Sequence, residues 1–540
     1  MQGFLLTISL LLVAFSQSVH AEEGCPRFYG NPADPTAFVC ECSSSACPDP
    51  VTPILSDDLS ASRAVLYRTT PLADRLAKSS LPIFGSSARP AVDPSTKSGS
   101  GFPFLGSVRL TINRSKKFQR IIGFGGAFSD SAAINVYSLN GSSVIQQKLL
   151  DAYYGKNGIG YSMVRVPMGS CDFSTHVYSY AEVDNDFALD SFALHEEDHW
   201  KIGLTKRVTQ LAQENGREVK VFAAPWSAPA WMKDTGMMEK AGRMREGEQY
   251  WQTWGLYFRK FIEAYEAAGV PIWAVSPQNE PSRGLAPDRT FESMWLSPED
   301  ESRFIRDHLH PELENSAVTN DTKIIAFDDL RLNMPLWPFL LNVDPKTSDF
   351  IDGYGVHWYT DSMVPTVGLD ITFKEQPRKF ILGTEACWPD THTVTLGNYT
   401  RGLLYAYDII DDLNHFVSGW VDWNMALDMQ GGPNWVGNFV DAAIIVDAAN
   451  GRFFKQPMFY AHGHFSRFLA PGAVRIGLTP SVVDNDLQST AFQNPDGTTV
   501  VVLVSLSTSR VIYTEIRDGS AIIPLTVSPV SINTIVYRAS

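Results

Sequence analysis

Two glutamates stand at the ends of short apolar runs, and their type and spacing suit acid–base work. Ile272-Trp-Ala-Val-Ser-Pro-Gln-Asn-Glu280 runs into Pro281, and Phe380-Ile-Leu-Gly-Thr-Glu385 ends in the same way. Proline cannot donate to a sheet ladder, so a strand starting at Ile272 has stopped by Pro281 and leaves Glu280 at a strand-to-loop boundary. Taken alone, Asn279-Glu280 reads equally well as a plain turn. The second glutamate changes that reading. It lies 385 − 280 = 105 residues further on, which is two or three βα units at roughly 35 to 45 residues each. In a (β/α)8 barrel the C-terminal strand ends carry the chemistry. Two carboxyl groups placed there suit retaining cleavage of a glycosidic bond. One protonates the leaving oxygen and the other attacks the anomeric carbon, from about 5 to 5.5 Å apart. Two like charges that close resist joint ionisation, which predicts that Glu280 keeps a proton in the free protein.

Other apolar runs end in residues of matching kind: Arg165-Val-Pro-Met-Gly-Ser-Cys-Asp172, Ala224-Pro-Trp226, His357-Trp358-Tyr359 and Asp422-Trp423-Asn424. Aromatic rings cover the C–H faces of a sugar, while carboxylates and amides take its hydroxyls. One tryptophan at a strand end is usually core. Three of them beside two glutamates predict a sugar site. Arg165 and Asp172 read either as an ion pair or as a partner for Glu385 and a sugar ligand. No second His or carboxylate falls at a metal-ligand spacing from His357 in the sequence, so no metal is expected. Gly123-Phe-Gly-Gly126 has the wrong spacing for a dinucleotide loop and there is no Walker loop, so no cofactor is expected. Cys387 lies two residues from Glu385 but has no activating histidine nearby, and reads as a buried thiol.

The elements that must position these groups follow from periodicity. Eight short apolar runs, at 121–125, 161–166, 219–224, 272–276, 323–327, 353–357, 379–383 and 419–422, alternate with helical segments such as 204–214 and 250–267. That pattern predicts a (β/α)8 TIM barrel with Glu280 on the fourth strand and Glu385 on the seventh. Beyond Trp423 the helical period fades. Runs at 498–504, 511–516 and 532–537 read as strands of an accessory all-β sandwich, which also recruits 64–67 and 108–112 from the other chain end.

The chain has 540 residues, 44% hydrophobic and 12% aromatic, enough for a sizeable core. Its net charge of −15 argues against nucleic acid and against unaided binding to an anionic membrane. An apolar run from Gly3 to Phe15, followed by Ser18-Val-His-Ala21, reads as a signal peptide cleaved before Glu22. No later run reaches the 18 apolar residues a transmembrane helix needs. Cys25, Cys40, Cys42 and Cys47 fall within 23 residues and read as a two-disulfide knot with three possible connectivities. Cys171 and Cys387 are expected to be free. Asn113, Asn140, Asn320 and Asn398 head glycosylation sequons.

Longer motifs sharpen the reading. Gly123-Phe-Gly-Gly-Ala127, Arg165-Val-Pro-Met168, Gln278-Asn-Glu-Pro-Ser282, Val356-His-Trp-Tyr359, Thr384-Glu-Ala-Cys387, Gly431-Gly-Pro-Asn-Trp-Val436 and Lys455-Gln-Pro-Met-Phe-Tyr460 closely resemble the lysosomal acid β-glucosidases, the glucosylceramidases of glycoside hydrolase family 30. The resemblance covers nearly the whole mature chain. It implies pairing of Cys25 with Cys40 and Cys42 with Cys47, and an acid/base at Glu280 and a nucleophile at Glu385. It places Asn279 on the sugar 2-hydroxyl and puts Asp172, Trp226, Trp423 and Asn438 around glucose, with Arg165, His357 and Tyr359 beside them. It further implies a signal peptide over 1–21 and a small disulfide-linked antiparallel module from 22–51 with about 425–457. The sandwich takes 52–118 with about 473–540, and the barrel about 119–424 with 458–472. The implied substrate is glucosylceramide at a lipid surface. A saposin-type activator, anionic lipid and a lysosomal targeting receptor are the implied partners, and the lysosomal lumen the implied location. Retaining enzymes of the same family acting on xylosides or β-1,6-glucans are the alternative, and an inactive sugar-binding protein is a further one. One departure stands out: the loop Leu285-Ala-Pro-Asp-Arg-Thr-Phe-Glu-Ser293 after the acid/base differs from a familiar member, which places a tyrosine near Arg289. Aglycone preference is therefore the least settled inference.

Overall fold

The computed structural model describes residues 25–85, 108–139, 143–286, 289–388 and 394–539; the leader and Asn140 lie outside these. Eight parallel strands close into a barrel. They are β1 (Gly123–Ala127), β2 (Met163–Met168), β3 (Lys220–Pro225), β4 (Ala274–Val275), β5 (Lys323–Leu330), β6 (Gly353–His357), β7 (Phe380–Glu385) and β8 (Val417–Asn424). All eight fall on the expected runs, within a few residues at the ends. Closure of β8 on β1 needs glycine. A Cβ on Gly419 would lie 2.0 Å from the carbonyl oxygen of Gly123, so the two backbones approach as only glycine allows. Met163, Phe222, Ala274, Ile325, Leu382 and Val421, one from each of six strands, cluster as a buried interior plug.

β4 is shorter than expected because Pro277 follows Ser276 and removes a donor. The segment still stays beside β3, since the Ser276 and Asn279 amides donate to Ala223 and Pro225 at 2.8 and 2.9 Å. That bond carries Asn279 and Glu280 to the barrel mouth. The helices Glu196–Glu214 and Glu248–Ala267 begin earlier than hydrophobic period alone indicates. Glu196, Glu197 and Asp198 in the first turn of the former favour the positive end of the helix dipole.

A ten-stranded sheet system joins both chain ends. Strands Arg63–Thr69, Ala77–Pro82 and Val108–Arg120 interleave with Val474–Pro480, Leu487–Gln493, Thr498–Ser505, Ile512–Asp518, Ala521–Val527 and Ser531–Arg538. Leu66, Leu110, Val501, Leu503, Ile516 and Ile535 form part of its separate apolar core. His464, buried on helix Pro457–Ser466, bonds Thr534 and Thr69 at 2.9 Å each and ties this sheet to the barrel. A third, five-stranded sheet contains Phe38–Ser43 paired with Arg452–Lys455. Disulfides join Cys25 to Cys40 and Cys42 to Cys47, and Cys171 and Cys387 are free and buried. Among the described residues no helix is long and apolar enough to cross a membrane. Asn113 and Asn320 are exposed, whereas Asn398 is half-buried and caps helix Tyr399–Asn414.

Candidate active site

Glu280 and Glu385 meet at the C-terminal mouth of the barrel. A carboxylate oxygen of each and a nitrogen of His357 all lie within 4.8 Å of one another. Glu385 is the last residue of β7, and Glu280 follows β4 with a left-handed backbone, φ 45° and ψ 58°. A non-glycine residue holds that conformation only where its surroundings fix it. Here its amide donates to the Asp328 carbonyl at 3.0 Å, and Pro281 starts the next turn.

Positive groups surround the two carboxylates. Arg165 on β2 is fully buried and donates to Glu385, to Asn279 Oδ1 at 2.8 Å and to Asp328 at 3.1 Å. His357, at the end of β6, lies 3.2 Å from Glu280 through Nδ1 and 3.2 Å from Asp328 through Nε2. Burial opposes its charge, but Glu385, Asp328 and Glu280 overcome that and push the imidazole up to about 10. Both ring nitrogens therefore donate. Arg289 donates to Glu280 from the loop beyond β4. Burial raises the Glu280 carboxyl, yet Arg289 and His357 outweigh burial and hold it well below its ordinary value. This corrects the expectation that Glu280 keeps its proton in the free protein. Repulsion between the glutamates is overridden by cations that the strand pattern did not reveal.

Tyr359 donates to Glu385 Oε1 at 2.7 Å and lies 3.3 Å from Cys387 Sγ. Burial pushes the Cys387 thiol well up, so it stays protonated. Trp226 and Trp423 stack on each other, centroids 5.0 Å apart, with the Arg165 guanidinium over both rings. Asp172 accepts from Asn438 Nδ2 at 3.0 Å rather than from Arg165, so the possible Arg165–Asp172 pair is not formed. Burial, with Glu385 and Glu292 nearby, lifts Asp172 to about 8. Trp358 turns away from the mouth to meet Trp388, Tyr405 and Trp420, so two of the three strand-end tryptophans share the site. Glu280, Glu385, Asn279, Arg165, His357, Tyr359, Trp226 and Trp423 are thus brought together, and Asp172 and Asn438 join each other beside them.

Asp328 is the functional residue that strand-end reading missed. It anchors Arg165, His357 and the Thr384 hydroxyl, the last at 2.6 Å. The signal was present as an acidic pair, Asp328-Asp329, right after the apolar run of β5. A register shift between Ala326 and Asp329, with positive φ at Phe327 and Asp328, turns it into the site.

The arrangement offers stacked indoles, an acid–amide pair beside them, and two carboxylates facing each other, the groups that sugar chemistry uses. Similarity to known proteins agrees. Residues 121–469 match the glycosyl hydrolase family 30 TIM-barrel domain, and 472–535 match its β-sandwich domain. A lysosomal acid glucosylceramidase of Mus musculus is 38% identical over 541 residues, covering 98% of this chain and 98% of that one. Among solved structures, SrfJ from Salmonella typhimurium superposes with a TM-score of 0.78 at 26% identity, over 88% of this chain and all of that one. An endo-β1,6-glucanase superposes at 0.73 and 24% identity over 88% of this chain and 99% of that one, a likeness of fold. Domain matches and near full-length identity together place the chain in glycosyl hydrolase family 30.

Proposed function

We propose that this glycoside hydrolase cleaves glucosylceramide to glucose and ceramide by double displacement, with Glu385 as nucleophile and Glu280 as acid/base. The observation that carries the reading is the approach of the two carboxylates, an oxygen of each within 4.8 Å of the other, which suits the short separation of a retaining pair and falls below that of an inverting one. Glu385, oriented by Arg165 and Tyr359, attacks the anomeric carbon. The bond to ceramide breaks with its electron pair on oxygen, which takes the proton that Glu280 acquires from solvent once substrate is bound. Glu280, now ionised, draws a proton from water, and the hydroxide formed at the anomeric carbon releases Glu385. Asn279 accepts from Arg165 through Oδ1, which leaves its amide nitrogen for the sugar 2-hydroxyl. Arg165 stabilises negative charge on Glu385, and His357 lies against Glu280. Asp172 and Asn438 take outer sugar hydroxyls, and Trp226 and Trp423 form the apolar floor.

The likeness to the mouse enzyme supports the glucosylceramide substrate and a lysosomal location. A net charge of −15, partly titrated in acid, suits that compartment. Exposed Asn113 and Asn320 are the sequons placed to carry glycans. The deciding experiment offers glucosylceramide in anionic detergent against xyloside and β-1,6-glucan. Preferential release of glucose from glucosylceramide is expected, and preference for either of the others would replace this reading.

A further inference from the structure

A general acid needs its proton when the leaving oxygen departs, yet Glu280 is paired with a guanidinium. Arg289 donates to Glu280 and rests over the Phe291 ring, its Cζ 4.3 Å from the centroid. Its side chain is only 11% exposed, and among the described residues its buried Nε has no hydrogen-bond partner. Asp172 and Glu385 also act on its charge, so the guanidinium lies among the carboxylates that a bound glucoside must reach. The other charged groups facing Glu280 are His357 from β6, Asp328 and Asp329 from β5, and Glu385 from β7. These are fixed to strand ends. Arg289 instead comes from the loop beyond the Pro281–Leu285 turn, where its amide donates to the Ala286 carbonyl at 3.1 Å.

We propose that Arg289 is a substrate-displaced counter-ion of Glu280, a positioning residue that keeps the acid/base ionised in the free enzyme and gives way when the glycoside binds. The inference rests on the assignment of Glu280 as acid/base. Binding then couples to proton uptake: the substrate separates the guanidinium from the carboxylate, and Glu280 takes one proton from solvent and passes it to the leaving oxygen. The free enzyme and the substrate complex therefore differ in the pH at which Glu280 titrates. The resting place on Phe291 suits a group that is released toward an aglycone bearing hydrogen-bond acceptors.

The test compares Arg289→Met and Arg289→Lys with the wild type by pH profiles of kcat and of kcat/KM on an aryl β-glucoside with a poor leaving group. The basic limb of kcat/KM reports the free enzyme, and that of kcat the complex. Arg289→Met is expected to move the kcat/KM limb upward by about one pH unit or more while the kcat limb stays in place. Arg289→Lys should keep the wild-type limb. An unmoved kcat/KM limb in Arg289→Met, or equal shifts in both variants, would overturn the proposal. A Glu280→Gln background, assayed on a 2,4-dinitrophenyl glucoside that needs no acid, separates the two readings. There Arg289→Met should change nothing, and a persisting shift would mean that Arg289 acts on another group. Undiminished Glu280→Gln turnover of the poor-leaving-group substrate would instead overturn the acid/base assignment itself.

Discussion

Two buried carboxylate clusters in this molecule differ in how their charge is balanced. At the barrel mouth Glu280, Glu385 and Asp328 face Arg165, Arg289 and His357, three against three. On the outer side of the barrel Asp361, Asp408 and Asp412 gather around Arg331, the one cation paired with them among the described residues. The consequences are opposite. Cations hold Glu280 and Asp328 below their ordinary range despite burial. One guanidinium cannot offset burial and mutual repulsion in the outer cluster, so Asp408 rises to about 6, Asp412 to about 8 and Asp361 well above its usual value. Balanced charge keeps carboxylates ready for chemistry, whereas unbalanced charge stores protons. The aromatic group of Trp358, Tyr405 and Trp420 stands at the outer cluster, and Trp420 donates to Asp408 at 3.0 Å.

Removing a charge from each cluster should therefore give different kinds of failure. Glu385→Gln has the largest expected effect. An amide cannot form the glycosyl-enzyme ester, so turnover should fall at least about a thousandfold while the unfolding midpoint stays near wild type. Steady-state kinetics and denaturation on one sample check this, and near-wild-type turnover would remove Glu385 from the mechanism. Arg331→Met should do the reverse: lose on the order of 3 to 5 kcal/mol of stability, as uncompensated buried charge does, with kcat/KM per folded molecule little changed. The loss should be smaller at pH 5 than at pH 7.5, because the freed aspartates can take up protons in acid.

The wild type carries the same signature. Carboxyls raised above an unfolded value of 3.8 bind more protons in the folded chain. Their contribution to stability is fully present below that value and is lost as pH rises through about 6 and about 8. Urea unfolding of Asp408→Asn with Asp412→Asn should show a flatter decline over this window. An unchanged slope would assign the proton store elsewhere. Breaking Cys25–Cys40, which spans 15 residues and belongs to neither cluster, should cost about 3 kcal/mol and leave both pH signatures in place. Tyr359→Phe is the smallest change: it removes one hydrogen bond from Glu385 and should lower kcat about tenfold without moving stability.

The mouth cluster was largely legible in the sequence, and the outer one was not. Glu280, Glu385, Trp226 and Trp423 each end or follow a short apolar run, and the ends of such runs in a barrel share one face. Arg289 was visible only as a departure from a familiar motif, because loop residues obey no period and its contact with Glu280 depends on the path of the turn after Pro281. Arg331 and its aspartates gave no signal. They come from the turn after β5, the turn after β6 and the helix Tyr399–Asn414, and Arg331 and Asp412 lie 81 residues apart. Strand ends were read to within a few residues, while the length of β4 depended on Pro277, closer to the strand than Pro281.

The stereochemical course of hydrolysis tests the central claim most directly. Proton NMR of the first glucose released from a β-glucoside, read before mutarotation, distinguishes double from single displacement. Glu280 and Glu385 at their observed approach predict the β-anomer as first product; the α-anomer would show inversion and contradict the assignment of Glu385 as nucleophile.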